Sequence, residues 1–306
     1  MTSSKVPTIG FLIATTYHAW QQFIDAFELQ LKSHGWDSSE GGNIKIEYQS
    51  ASGLKDLYER IAKDFANPKR PSPTDIIVTG GTGSTLACKN ATKTIPIVFA
   101  TAGDPVGSKL VQSLPKPGGN VTGISNEQTI RVKERLNYMQ EHLAGDLGKK
   151  IHVGAIGNIN VPNVKLEMKE LKIEAKSLGL KYSEAHLKTL ADIHPAIKSL
   201  KRKKVDGLFV CTDPLITTNA DILNEWALLE KLGTMHALRE NFSNEGLMFH
   251  GPVMPDMFKR AADFVDMILN GKKPAQIPIE GPTTFESKCN KRTAQILGLK
   301  SLAATL

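Results

Sequence analysis

Short apolar runs alternate along the chain with longer segments whose apolar residues recur every three or four positions. Residues 8–14 (TIGFLIA) fit a buried strand, and residues 19–34 place five large apolar side chains on one helical face. The alternation continues to residue 114 and restarts after residue 125. Strands that alternate with helices form parallel βαβ units with right-handed crossovers. The sequence therefore predicts an α/β fold of two similar lobes, each built around a parallel sheet.

The predicted elements follow from this periodicity. In the first half, further strands are expected at residues 44–48, 76–79 and 97–100, and further helices at 54–65, 84–90 and 105–114. In the second half, strands are expected at 151–156, 181–184, 207–211 and 247–250, with helices at 131–143, 164–178, 191–200, 222–232 and 254–269. The tail adds a strand around Phe285 and a helix at 291–297. We expect the helix at 254–269 to return to the first lobe.

Charge and cysteine content exclude several classes of protein. The 306 residues carry a formal charge of +7, spread along the chain with one run at residues 198–204 (KSLKRKK). Because a nucleic-acid reader concentrates Lys and Arg on a recognised module, the run is interpreted as a solvated face, and no nucleic-acid partner is predicted. The three cysteines, Cys88, Cys211 and Cys289, are widely spaced, so neither a disulfide framework nor a CxxC motif is expected.

No export or membrane segment is visible at the sequence level. No apolar run approaches the length of a membrane span, and no charged-then-apolar leader precedes the first strand. The protein is thus interpreted either as cytoplasmic or as a mature form whose leader is missing.

The Gly-rich turn at residues 78–91 (VTGGTGSTLACKNA) predicts an anion site. It joins a strand to a helix start, where backbone N–H groups and the helix dipole favour a negative charge. It has neither the Lys of a P-loop nor the G-x-G-x-x-G spacing of a dinucleotide site, so a carboxylate is the expected guest. Thr82 and Ser84 are the predicted contacts. The alternative is a tight turn whose glycines serve geometry alone.

Two residues near the end of the next strand receive different interpretations. Thr101 is a predicted ligand contact, because ligands of open α/β sheets bind beyond the carboxyl ends of the strands. Asp104 precedes Pro105, and Asp before Pro at the first helical position is typical of a helix N-cap. We interpret Asp104 as that cap rather than as a catalytic acid.

The second half offers polar residues after two buried strands. Asn158, Asn160 and Asn163 follow the first, and Asn163 is expected to cap the next helix. Asp213 follows the second, and a buried carboxylate demands a partner, which is either a ligand ammonium or a nearby Lys. His250 ends a strand and is the one histidine placed near a cleft, although a structural role fits it as well. Tyr17 fits either stacking on a flat ligand or covering the sheet end.

Catalytic and metal motifs are missing from the sequence. The eight histidines show no HExxH spacing, and no G-x-S-x-G nucleophile elbow occurs. Neither an enzyme, nor a metal site, nor a cofactor is therefore predicted.

Several stretches together resemble one known family. They are TIGFL with its early helix, IKIEYQSASG, the long segment at residues 75–125 (DIIVTGGTGSTLACKNATKTIPIVFATAGDPVGSKLVQSLPKPGGNVTGIS), and KKPAQIPIEGPTTFESKCNKRTAQILGL near the end. In this order they are similar to the substrate-binding proteins of bacterial ABC importers, a group that includes the tryptophan and aromatic amino-acid binders. The resemblance covers essentially the whole chain.

The resemblance implies a type I periplasmic-binding-protein architecture, with two lobes joined by three crossings near residues 122–125, 244–249 and 281–284. The first lobe would be residues 1–122 and 250–281, and the second 123–249 and 282–306. The family implies a periplasmic or lipid-anchored monomer, made with an export signal, that closes on a small ligand such as an amino acid and delivers it to a membrane permease. The implied ligand-binding residues are Thr15, Thr16, Tyr17, Thr82, Gly83, Ser84, Thr101, Asn158, Asp213 and His250.

Two departures from the family touch this site. The family usually has a Tyr-Gly pair where this chain has His250-Gly251, and the loop NINVPN after Gly157 is only loosely similar to the family's Asn/Pro-rich version. A ligand sensor coupled to a signalling protein is the alternative function, and an α/β enzyme is a more distant one.

Overall fold

The chain divides into two units and passes between them three times. The computed structural model describes residues 5–242 and 245–305. The first unit comprises Met1–Glu127 and Val253–Thr283, and the second comprises Gln128–Pro252 and Thr284–Leu306. The passages thus lie after residues 127, 252 and 283, whereas the domain boundaries drawn from the sequence, after residues 122, 249 and 281, stay predictions.

A five-stranded parallel sheet with the strand order β2-β1-β3-β4-β5 is the centre of the first unit. Its strands are β1 (Thr8–Ile13), β2 (Lys45–Ser50), β3 (Ile76–Thr79), β4 (Ile97–Ala102) and β5 (Val121–Ser125). The helices beside them are α1 (Tyr17–Ser33), α2 (Lys55–Phe65), α3 (Thr82–Ala91) and, from the later segment, α10 (Met254–Leu269). Four of the five strands are buried along their whole length, as expected for a parallel sheet covered on both faces.

Helix α10 belongs to the first unit, which confirms the expectation that it returns there. Phe258 stacks on Phe23 of α1 with ring centroids 5.1 Å apart, and it meets Trp20 edge-on at 5.4 Å. Beyond α1, Trp36 Nε1 donates a hydrogen bond of 2.9 Å to Asp266. Apolar burial along the helix and a polar contact near its end therefore hold α10 against α1.

The second unit contains a six-stranded sheet with the order β11-β10-β9-β8-β6-β7, parallel except for β11 against β10. Its strands are β6 (His152–Gly157), β7 (Lys181–His186), β8 (Gly207–Val210), β9 (Gly233–His236), β10 (Met248–Pro252) and β11 (Phe285–Cys289). Its helices are α4 (Val132–Leu147), α5 (Pro162–Ser177), α6 (Ile193–Arg202), α7 (Pro214–Thr218), α8 (Ala220–Leu229), α9 (Arg239–Phe242), α11 (Lys291–Leu297) and α12 (Lys300–Thr305). The predicted α/β fold with two parallel-sheet lobes is confirmed.

The helix predicted at residues 105–114 is wrong, because this stretch forms a series of turns. Lys109 has a φ of 59°, in the left-handed region, and so interrupts any helical repeat. Asp104 also has a positive φ, of 37°, and its Oδ1 accepts a hydrogen bond of 2.8 Å from the N–H of Gly107. Asp104 therefore closes a turn and does not cap a helix.

Strand β9 was missed by the sequence analysis, and a buried polar network explains why it forms. His236 Nε2 lies 2.8 Å from Oδ1 of Asn224 on α8, and Thr234 donates to the same oxygen at 3.2 Å. Asn224 in turn donates to the carbonyl of Asn241 at 2.8 Å. Because these polar side chains bond one another, a strand with little apolar content lies fully inside the unit.

The burial of His236 predicts a pH-dependent stability. Desolvation lowers the pKa of this imidazole from 6.5 to about 3, so the folded chain keeps it neutral while the unfolded chain protonates it below pH 6.5. The free energy of unfolding should therefore decrease as the pH is lowered from 6.5 towards 3, by on the order of 1 kcal/mol for each pH unit from this group alone. Urea unfolding at several pH values should show a shallower dependence in His236→Gln. The same slope in both proteins would contradict the prediction, and the exposed His18→Gln is the matched control.

Candidate functional site

Three neighbouring strands of the first unit end at one edge of its sheet and bring the predicted residues together. Strands β1, β3 and β4 are adjacent and parallel. Residues 15–17 follow β1, residues 82–84 follow β3 at the start of α3, and Thr101 lies at the end of β4. All seven residues predicted in this half of the chain therefore lie at the carboxyl edge, where ligands of such sheets bind.

The N-terminus of α3 is built for an anion. Gly81 precedes the helix with a φ of 97°, and as a glycine it has no side chain with which to cap the first helical N–H groups. Gly80 is required by close packing, since a Cβ there would lie 2.6 Å from the Trp20 ring. Gly83 has ordinary room for a Cβ, 3.5 Å from Tyr58. The uncapped N–H groups carry the partial positive charge of the helix dipole, so this turn can bind a carboxylate.

The hydroxyl groups of Thr82 and Ser84 are committed to the turn itself. Ser84 Oγ donates to the Gly80 carbonyl at 2.7 Å, and Thr82 Oγ1 accepts from the Gly103 N–H at 3.1 Å. Both side chains are buried. Their role as ligand contacts stays a prediction, and the structure gives them the additional task of fixing the anion turn against the loop after β4.

Asn126 is a residue of this edge that the sequence analysis missed. It follows β5, which lies beside β4, and its Nδ2 donates to Thr101 Oγ1 at 2.9 Å. Asn126 is buried, as is Thr101. The signal was available, because Asn126 is the polar residue directly after a buried strand, as Thr15 is the first polar residue after β1.

The segment after β1 supplies a polar and an aromatic group. Within the described residues the Oγ1 of Thr15 is buried without a hydrogen-bond partner. Thr16 caps α1, because its Oγ1 accepts from the N–H of Ala19 at 3.3 Å. Tyr17 is 43% exposed and meets Tyr48 edge-on with centroids 5.9 Å apart. An exposed ring beside an anion turn can cover a flat apolar group.

In the second unit, Asn158 and Asp213 follow the adjacent strands β6 and β8 and contact each other. Asp213 Oδ2 accepts from the Asn158 N–H at 2.7 Å, and Oδ1 accepts from the Leu215 N–H at 2.8 Å, which caps α7. The side chain is 1% exposed, and burial raises the pKa of its carboxyl group against the opposing effect of these N–H groups. Among the described residues no Lys pairs with Asp213, which is bonded by backbone amides instead, so of the two predicted partners the ligand ammonium stays a prediction.

The polar loop after β6 differs in one detail from the prediction. Asn163 does not cap α5, whose cap is Val161, and instead its Nδ2 donates to the Thr212 carbonyl at 3.0 Å. Asn158 keeps its side chain in the loop, where Oδ1 accepts from the Asn160 N–H at 3.0 Å. The loop after β6 is thereby attached to the loop after β8.

A buried ion pair supports this edge, and no sequence signal indicated it. Arg135 of α4 and Glu167 of α5 are 2% and 1% exposed and lie 2.7 Å apart. The second Glu167 oxygen accepts from the Thr212 N–H at 2.9 Å, directly before Asp213. Burial raises the pKa of Glu167 and lowers that of Arg135, while the opposite charge of each partner favours the ionised pair.

His250 lies apart from Asn158 and Asp213, since strand β9 separates β10 from β8. Its Nδ1 is 2.7 Å from Ser287 Oγ on β11, and its ring stacks between Tyr138 of α4 and Phe285 at centroid distances of 5.9 and 6.3 Å. Burial lowers the pKa of His250. These contacts give it a packing role within the second unit, and a ligand contact stays a prediction.

The described residues contain no group of three or more His, Cys, Asp and Glu side chains that could hold a metal ion. None of the helices in the described part of the chain has the length and apolar character that a bilayer crossing requires.

Comparison with known proteins defines the class to which this architecture belongs. The family of ABC transporter substrate binding proteins matches residues 17–303. A tyrosine-binding protein of Clostridioides difficile (strain R20291) is 29% identical over 306 residues, which cover 99% of this chain and 84% of that protein. The chain belongs to the family of ABC transporter substrate binding proteins, which are binding proteins and not enzymes.

Solved structures share the fold. The crystal structure of a conserved domain protein from Vibrio cholerae is 26% identical, with a TM-score of 0.88 over 98% of both chains. An ABC domain from Streptococcus pneumoniae in complex with L-Trp is 23% identical, with a TM-score of 0.84 over 96% of this chain and 95% of that one. A glucose-galactose binding protein from Geobacillus stearothermophilus has the same fold at 14% identity, with a TM-score of 0.66 over 94% and 98% of the two chains. Substrate-binding proteins of this family are extracytoplasmic.

The Arg135–Glu167 pair predicts an asymmetric mutational response. Glu167→Gln should lower the free energy of unfolding by about 3–5 kcal/mol, because it leaves the Arg135 charge buried without its partner. The double variant Arg135→Met/Glu167→Met should recover most of this loss, since it removes both charges. Urea unfolding measures both effects.

A matched control joins the same two helices at the surface. Lys133 and Glu174 lie 3.2 Å apart with the Lys side chain 55% exposed, so Glu174→Gln should cost less than about 1 kcal/mol. Equal costs for Glu167→Gln and Glu174→Gln would contradict the structural role assigned to the buried pair.

Proposed function

We propose that the protein captures a free aromatic amino acid and delivers it to the permease of an ABC importer. One pairing of features carries this proposal: the first unit presents an uncapped helix N-terminus, and the second presents a buried carboxylate. These groups have opposite polarity, as the carboxylate and the ammonium of an α-amino acid require. The tyrosine-binding relative supports the same class of ligand.

Each group of the ligand has an assigned partner in this proposal. The carboxylate binds the backbone N–H groups of residues 82–84, with Thr101 beside them. The ammonium binds Asp213, whose two carboxylate oxygens can accept further hydrogen bonds beyond those from the backbone N–H groups of residues 158, 215 and 216. The ring of Tyr17 covers the aromatic side chain of the ligand. Closure of the two lobes about their crossings brings both sets of groups to one ligand.

The proposed ligand is an amino acid rather than a sugar because of charge. A buried carboxylate whose pKa is raised by desolvation gains more from a cation than from a neutral hydroxyl group. Sugars offer hydroxyl groups and no charge, so they would not neutralise the charge of Asp213. Sugar binding by fold relatives therefore does not extend to this chain in the proposal.

The experiment is isothermal titration calorimetry with ligands that differ by one group. L-tyrosine, L-tryptophan and L-phenylalanine should bind, and D-galactose should not. Tyramine, which lacks the carboxylate, and 3-(4-hydroxyphenyl)propionate, which lacks the ammonium, should each bind at least about a hundredfold more weakly than L-tyrosine, because each leaves a charged or dipolar site group unpaired. Binding of D-galactose in place of the amino acids would overturn the proposal.

Two pairs of variants test which side chains bind the ammonium and the aromatic ring of the ligand. Asp213→Asn should weaken L-tyrosine binding by about thirtyfold or more, since it removes the charge that holds the ammonium. Asp206→Asn is the control, because Asp206 also accepts a backbone N–H, from His152 at 2.7 Å, but lies at the opposite edge of the same sheet. Tyr17→Ala should weaken the aromatic ligands, whereas Tyr17→Phe should preserve them. An unchanged affinity in Asp213→Asn would remove Asp213 from the site.

A further inference from the structure

The positive charge of the protein resides almost entirely in the second unit. That unit contains 22 Lys and Arg and 16 Asp and Glu, a net charge of +6, while the first unit contains 16 and 15, a net charge of +1. An asymmetry of this size between two halves of a chain indicates an acidic partner for the basic half. The fold then determines where on the second unit the excess charge collects.

The basic residues collect where the parallel strands begin. Strands β6, β7, β8 and β9 run in the same direction, so their first residues share one edge of the sheet. The residues that precede or open these four strands form a set that we call the basic edge: Lys149, Lys150, Lys181, Lys231 and all four residues of 201–204. All eight are exposed, and the sequence run KSLKRKK is therefore one part of a larger surface.

The described contacts leave this charge largely uncompensated. Of the eight residues, Lys149 alone pairs with a carboxylate in the described part of the chain, Asp206 at 2.8 Å. The amines of Lys150, Lys203 and Lys231 donate to backbone carbonyls, which does not neutralise them. Lys181 and Lys149 also oppose protonation of His152, whose pKa is lowered chiefly by burial. The dipole at the C-terminal end of α6 favours positive charge there. It explains the charges at residues 201–204 but not the other four lysines of the basic edge.

We propose that the basic edge docks the second unit onto a membrane surface rich in anionic phospholipid headgroups. Seven of its eight residues are Lys, and flexible, strongly hydrated amines suit a diffuse layer of phosphates better than they suit bidentate recognition. Among the exposed large apolar side chains of the described residues the one aromatic ring is Tyr17 of the first unit, so the second unit lacks the stacking platform that single-stranded nucleic acid uses. Leu229, which ends α8 just before Lys231, is 69% exposed and adds an apolar side chain for the headgroup region.

In this orientation the bilayer lies away from the proposed ligand-binding residues of the second unit. Asn158 and Asp213 lie at the carboxyl ends of β6 and β8, whereas the basic edge lies at their amino ends. A bilayer in contact with the basic edge therefore does not cover them. The proposal is independent of which ligand the protein captures.

Cosedimentation of the full chain with lipid vesicles tests the proposal. The chain should bind vesicles of phosphatidylcholine mixed with phosphatidylglycerol, should not bind vesicles of phosphatidylcholine alone, and should be released by added salt. The triple variant Lys201→Gln/Arg202→Gln/Lys203→Gln should bind the anionic vesicles at least about tenfold more weakly, since each charge near such a surface contributes roughly a fivefold factor. The control Lys63→Gln/Lys93→Gln/Lys272→Gln removes three exposed charges from the first unit and should bind as the unmodified protein does.

A second triple variant keeps the test valid if the first one fails to fold. It also tests whether lysines before the other strands belong to the same binding surface. Lys150→Gln/Lys181→Gln/Lys231→Gln changes residues before three other strands and should show a similar loss. L-tyrosine binding should be unchanged in both triple variants, which would show that the loss of vesicle binding does not come from damage to the proposed ligand site. Failure of the unmodified chain to bind anionic vesicles, equal losses in the first-unit control, or tighter binding to duplex DNA than to vesicles at the same phosphate concentration would each overturn the proposal.

Discussion

The geometry of the second unit's candidate site depends on one buried ion pair. Arg135 and Glu167 are almost without solvent contact, and further hydrogen bonds to the two side chains help to offset the cost of burying such an ion pair. Glu167 accepts from Arg135 with one oxygen and from the Thr212 N–H with the other, while Arg135 Nε has no hydrogen-bond partner among the described residues. The pair therefore joins α4, α5 and the loop after β8 at one point. Because Thr212 precedes Asp213, that junction holds the backbone directly before Asp213.

In the first unit, neutral hydroxyl groups rather than an ion pair hold the candidate site in place. Thr79 Oγ1 lies 3.0 Å from the Leu12 carbonyl and 2.9 Å from Ser84 Oγ, while Thr82 bonds the loop after β4. These hydroxyl groups hold the anion turn without adding a formal charge to it. The polarity of that edge is consequently set by backbone N–H groups and the dipole of α3. The carboxyl edge of the first unit's sheet thus presents backbone N–H groups with partial positive charge, whereas the carboxyl edge of the second unit's sheet presents a carboxylate.

Sequence reasoning succeeded where apolar periodicity and strand ends decide the structure. The fully buried β1, β3 and β4 were visible as apolar runs, and the residues after them were correctly placed at one edge. It failed at β9, since Thr234 and His236 are buried through bonds to Asn224 that no local pattern reveals.

The helix predicted after Asp104 does not form, for a local reason. The site predicted from the sequence, in turn, did not include its contacts between residues far apart in the chain. The Asp-Pro pair at residues 104–105 matches a helix start, yet the left-handed backbone of Lys109 ends any helical repeat within a few residues. The ion pair between Arg135 and Glu167 spans 32 positions along the chain, so spacing alone could not identify it. The part of the site that the sequence did not predict is thus formed by contacts between elements far apart in the chain.

The distance between the two edges of the second unit allows them to act separately. Strand β6 has six residues and so spans about 20 Å from the basic edge to Asn158. At physiological ionic strength the Debye length is about 8 Å, so exposed lysines at one end of the sheet exert a strongly screened potential at the other. Asp213, by contrast, is buried, and its interactions with groups beside it are screened far less. A diffuse positive surface and a short-range carboxylate site can therefore occupy one sheet without compensating each other.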